Sequence, residues 1–87
     1  MSYTVLYRPA ALRDLRKLPA DVQRRLLHRI DGLANDPRGP GTRLLKGKKR
    51  GLTRLRVGDY RVGYIIDDRG RTVTVLEVGH RENYYDR

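Results

Sequence analysis

The sequence has no cysteine, tryptophan or phenylalanine, one methionine, and no apolar run longer than triplets such as Tyr64-Ile65-Ile66. Without cysteine there is no disulfide scaffold, no thiol nucleophile and no thiolate zinc site. The short apolar runs provide neither a signal-peptide core nor a membrane-spanning helix, so a soluble, cytoplasmic chain without a membrane partner is expected. With no phenylalanine, the aromatic motif of a classical RNA-recognition domain cannot be built. Two histidines and scattered carboxylates give no metal-ligand pattern, and neither a metal nor a cofactor is expected.

What is present is positive charge in one place. Residues 37–58 carry eight basic and no acidic residues, against seven and four in residues 1–36 and five and six in residues 59–87, within a formal total of +10. A local field of this kind attracts a polyanion, either a phosphate backbone or an acidic protein segment. The 87 residues, with 22 Leu, Val and Ile and six Tyr, suffice for one modest core, so residues 1–87 are read as a single domain.

Tyr3, Val5 and Tyr7 alternate with polar or smaller neighbours, which predicts an opening strand. Pro9 suits the first turn of a helix in which Leu12 and Leu15 repeat through Lys17. Pro19 opens a second helix whose stripe is Val22, Leu26, Ile30 and Leu33, widened by Leu27 and Ala34. Asn35-Asp36-Pro37 ends the helical hairpin, and the Pro- and Gly-rich stretch to Gly51 is a loop with a short extended piece near Arg43–Lys46. Strands are predicted at Leu52–Val57, Tyr60–Ile66 and Thr72–Val78, separated by turns at Gly58-Asp59 and Asp67–Gly70. His80–Arg87 reads as a strand end or a short helical turn. The expected fold is α+β in the order β-α-α-β-β-β, an antiparallel-dominated sheet with a helical hairpin on one face and the other face open.

Strand periodicity puts Arg54 and Arg56 on one face, opposite Thr53, Leu55 and Val57, and a two-residue hairpin brings Arg56 beside Arg61. Those two charges repel, which calls for an anion, and Gly63 leaves a shallow spot on the same face. Lys46, Lys48, Lys49 and Arg50 extend the basic region as candidate RNA contacts. In the tail, His80, Arg81, Tyr84 and Tyr85 combine cations with rings that either pack or stack on bases. His28, among arginines on the second helix, is read as structural. Arg61 and Arg81 are both expected on the open face, with little to contribute to folding.

Leu44-Leu45-Lys46-Gly47, Leu55-Arg56-Val57-Gly58-Asp59-Tyr60-Arg61-Val62, and Val78-Gly79-His80-Arg81 with Tyr85 four residues on resemble the RelE branch of the RelE/ParE toxin superfamily. The similarity runs over nearly the whole chain, including Leu18-Pro19 between the helices. It implies a toxin that enters the ribosomal A site, cuts mRNA by attack of a ribose 2′-OH on the adjacent phosphate, and is held inactive in an oligomer with a cognate acidic antitoxin. It further implies that Arg54 and Arg61 bind the scissile phosphate, Arg81 sits at the leaving oxygen, and Tyr85 stacks or orients the substrate, with Arg56 as a phosphate or structural neighbour. Leu52 stands where some relatives place a lysine discussed as the base. His80 is the first substitute, followed by Lys46 or Lys48. Two alternatives share the sequence evidence: a ParE-like gyrase poison of the same fold, which has no need of the arginine cluster, and a non-catalytic basic nucleic-acid-binding module, kept open by Leu52.

Overall fold

Alternation of half-buried Val5 and Tyr7 with exposed Thr4 and Leu6 forms strand β1 (Thr4–Tyr7). The chain is then turned by Arg8, held extended at φ −73° and ψ 150°, and by Pro9, whose fixed φ starts helix α1 (Pro9–Arg16). Residues 2–47 and 51–80 are described by this computed structural model. In α1 the buried pair is Ala11 and Leu15, one turn apart, while Leu12 is 36% exposed. The expected Leu12–Leu15 stripe is therefore corrected by one position, because the small Ala11 lets the helix approach the sheet closely. Helix α2 (Ala20–Gly32) starts after Pro19, with Asp21 in its first turn and Arg29 in its last, both favourable to the helix dipole. Val22, Leu26, Ile30 and Leu33 are buried as expected, but Leu27 is 38% exposed. It lies about 100° around the helix from Leu26 and does not widen the stripe.

The remaining elements are β2 (Thr42–Leu44), β3 (Thr53–Val57), β4 (Tyr60–Asp67) and β5 (Thr72–His80). They join β1 in one sheet of order β1-β5-β4-β3-β2. β1 pairs parallel with β5, and every other pairing is antiparallel. The α+β architecture and the β-α-α-β-β-β order are as expected, with β2 a short added edge strand. One sheet face, carrying Leu55, Val57, Val62, Tyr64, Val73, Val75 and Val78, forms the core with Ala11, Leu15, Val22, Leu26, Ile30 and Leu33 of the helical layer.

One irregularity sets what the other face carries. Gly63 pairs with Glu77 but Tyr64 pairs with Val75, so Leu76 is an extra, unopposed residue in β5. Such a bulge inverts the alternation beyond it. Val73 and Val75 face the helices before Leu76, and Val78 faces them after it.

Two polar ties close the ends. The Tyr64 hydroxyl, deep in the core, donates to the Pro37 carbonyl at 2.6 Å, and burial pushes its pKa up to about 12. At the β4–β5 turn, Asp68 accepts from the Tyr3 hydroxyl at 2.6 Å and from both terminal nitrogens of Arg38 at 3.1 and 2.9 Å. The Arg38 guanidinium, and after it Tyr3, hold the Asp68 carboxyl down from 3.8 to about 2. Together these groups join the N-terminal strand, the loop after α2 and the last hairpin.

Candidate nucleic-acid interface

The β3–β4 hairpin is closed by two residues, Gly58 and Asp59, and Gly58 holds φ +61°. A positive φ at the first central position suits the right-handed twist of a tight hairpin and favours glycine. This turn fixes the register: Arg54 lies opposite Gly63 and Arg56 opposite Arg61. On the far side of β3, Arg43 of β2 lies opposite Arg54. Residues directly opposed across a ladder share a face, with neighbouring strands about 4.8 Å apart. The face away from the helices therefore carries one row of Arg43, Arg54, Gly63 and Glu77, and a second of Arg56, Arg61 and Gly79.

Arg43 and Arg56 are exposed and Arg54 is half-buried. Arg61 is only 4% exposed, and Gly63, two residues on, is buried as well, so the shallow spot expected at Gly63 is not open. The Arg61 Nη1 donates to the carbonyl oxygens of Gly58 and Tyr60, both at 3.1 Å. The expectation that Arg61 is an exposed charge with little part in folding is overturned, since its guanidinium is folded back onto the turn that sets the register. Those carbonyl dipoles also offset part of its repulsion by Arg56. Arg54, Arg61, Glu77 and His80 are all engaged in interactions of their own. Two cross-strand arginine pairs, Arg43 with Arg54 and Arg56 with Arg61, thus concentrate positive charge on one face.

His80 lies elsewhere. It pairs with Tyr60 in the β4–β5 ladder and so shares the helix-side face with Tyr60, Val62 and Val78. Its ring meets Tyr60 edge-on at 5.4 Å and 87°. The structure does not bring His80 onto the face of Arg54 and Arg61. Strict alternation from Thr72 would have put it there, and the bulge at Leu76 reverses its side. Lys46 is exposed, just past the end of edge strand β2. Lys48, Lys49, Arg50, Arg81, Tyr84 and Tyr85 lie outside the described residues. Sequence reasoning missed Arg43 and Glu77. Arg43 depends on a strand of three residues inside a glycine-rich loop. For Glu77 a signal existed, because the spacing Val73, Val75, Val78 breaks period two and marks a bulge.

Among the described residues, no group of three or more His, Cys, Asp or Glu is placed to hold a metal ion, and no helix is long and apolar enough to cross a membrane.

Residues 5–85 match the family model described as the ParE toxin of the type II toxin–antitoxin system parDE. The chain is 38% identical over its whole length to Toxin RelG of Mycobacterium tuberculosis, covering all of that protein. Among solved structures, it is similar to the toxin–antitoxin complex RelBE2 of M. tuberculosis, at a TM-score of 0.84 and 35% identity over 93% of this chain and 100% of that one. It is also similar to the archaeal RelE–RelB complex of Pyrococcus horikoshii, at a TM-score of 0.80 and 30% identity over 93% and 97% of the two chains.

Proposed function

Because this chain belongs to the RelE branch of the RelE/ParE superfamily of type II toxin–antitoxin toxins, we propose that it is a ribosome-dependent endoribonuclease that cuts mRNA in the A site. The observation that carries this reading is the register that gathers Arg43, Arg54, Arg56 and Arg61 on the open sheet face. In the proposed reaction a ribose 2′-oxygen attacks the adjacent phosphate, and negative charge builds on the phosphorane. Preorganised guanidiniums aimed at that charge are worth most in the transition state. Arg54 and Arg61 are assigned to the scissile phosphate, and Arg43 and Arg56 to its neighbours along the strand. Arg61 has a double part, since it also holds the hairpin that positions Arg54 and Arg56. Arg81 and Tyr85 remain assigned to the leaving oxygen and to stacking. The ribosome holds the mRNA in place and removes the entropic cost of finding a flexible strand.

The proposed physiological partner is a cognate antitoxin of acidic character. One similar solved structure is a toxin–antitoxin complex and another a RelE–RelB complex, and a cationic face with two like-charge pairs suits an acidic segment that folds on binding. We place the active toxin in the cytoplasm, where ribosomes are.

Induction in a bacterium, with mRNA 5′ ends mapped alongside DNA supercoiling, tests the reading. It expects new 5′ ends at codon-registered positions and unchanged supercoiling. Loss of supercoiling without new ends would instead establish the gyrase alternative.

A further inference from the structure

We propose that Glu77 is the proton acceptor for the 2′-hydroxyl, an inference that rests on the endoribonuclease reading above. Cleavage by a 2′-oxygen needs a group to take its proton, and arginine is a poor acceptor because it stays protonated. Position 52 is Leu. His80 is on the opposite side of the sheet, against Tyr60. Lys46 lies past the end of the far edge strand, beyond Arg43.

Glu77 is in the arginine row itself. Arg54 pairs with Gly63 and Gly63 with Glu77, so the carboxylate and the guanidinium flank a residue with no side chain. Two strand spacings put their backbones about 10 Å apart. Gly63 itself is buried and Arg54 and Glu77 are half-buried, so a ribose and its phosphate are assigned to the outer ends of these two side chains, with the phosphate toward Arg54 and Arg61 and the 2′-hydroxyl toward Glu77. The other strand carboxylate on this face, Asp67, is about 13 Å along β4 from Gly63 at strand rise, and its Oδ1 accepts from the Gly70 amide at 3.0 Å. Among the described residues, the charged groups that the register places on Glu77's side of the sheet are Arg54 and Arg56 of β3 and Arg61 of β4, with Arg8 beside β5, its amide continuing the β1–β5 ladder to the Val75 carbonyl at 2.9 Å. Asp14 of α1 meets β5 from the other side, where its Oδ2 accepts from the Val78 amide at 3.4 Å.

The 2′-hydroxyl proton passes to the Glu77 carboxylate, the 2′-oxygen forms its bond to phosphorus, and the bond from phosphorus to the 5′-oxygen breaks. The departing 5′-oxygen takes a proton from water, and Glu77 returns its own proton to solvent, leaving a 2′,3′-cyclic phosphate and a 5′-hydroxyl.

The test is single-turnover cleavage of mRNA on saturating programmed ribosomes across pH, with thermal melts and ribosome affinity for each variant. Wild type is expected to slow toward acid. Glu77→Gln is expected to cleave about 10²–10⁴-fold more slowly, with unchanged ribosome affinity and without the acid limb. Glu77→Asp keeps a carboxylate and is expected to retain the limb at a reduced rate, which also serves if the Gln variant fails to fold. A Gln variant at wild-type rate, a slowed Gln variant that keeps the limb, or an Asp variant without it overturns the assignment while the endoribonuclease reading stands. A wild-type protein that leaves ribosome-bound mRNA intact overturns both.

Discussion

Arg61 and Tyr64 sit three residues apart on opposite faces of β4, and each binds backbone carbonyls beyond its own ladder. Arg61 satisfies the turn of the β3–β4 hairpin, so Arg61→Ala is expected to lower stability by about 1.5–3 kcal/mol, the range for hydrogen bonds to a charged group. Urea unfolding checks this, while removal of Arg54 is expected to lower the cleavage rate at saturating ribosome by about 10²–10³. Arg24→Ala, on the exposed face of α2, is the control for both assays. Tyr64→Phe removes the bond to Pro37 and is expected to cost about 1–2 kcal/mol. Burial also raises the phenol's pKa to about 12 against an ordinary 10. The unfolded tyrosine ionises first, so wild-type stability should fall between about pH 10 and 12, and the Phe variant should lose that part of the decline.

At the scale of elements, legibility followed the strength of the local code. The helices were marked by Pro9, Pro19 and a repeat of three to four residues, and the β3–β4 hairpin by Gly58-Asp59, so the facing of Arg54, Arg56 and Arg61 could be read in advance. What could not be read was decided by non-local pairing. β2 exists because Thr42–Leu44 finds a partner in β3, and its three residues carry no pattern of their own. The extra residue Leu76 exchanged the sides of Glu77 and His80, a swap that follows whenever register shifts by one. The clasp of Tyr3, Arg38 and Asp68 joins residues up to 65 positions apart, which no local spacing reveals. Asp68 titrates at about 2 in the folded chain against an ordinary 3.8. Its contribution is therefore full above about pH 4 and is lost as pH falls through the folded value. An acid titration followed by circular dichroism should show Asp68→Asn already lacking that contribution at neutral pH, with a shallower loss of stability between pH 4 and 2.

At the scale of the molecule, charge and topology act together. Of the eight basic residues of 37–58, Arg43, Arg54 and Arg56 are aligned by β2 and β3 on the face the helices leave uncovered. Binding to single-stranded RNA should therefore weaken steeply with salt, and replacing Arg43 or Arg56 by Ala should reduce the slope of log affinity against log salt by about 0.7 each, one phosphate contact per residue. Equilibrium titrations at several salt concentrations measure that slope directly. The proposal that this face performs phosphate chemistry on ribosome-held mRNA is tested by incubating the purified toxin with the same mRNA free in solution and positioned in the A site, and by analysing the new ends. The prediction is rapid cutting only on the ribosome, with a 2′,3′-cyclic or 3′-phosphate and a 5′-hydroxyl. Efficient cutting of the free RNA, or intact mRNA on the ribosome, would contradict it.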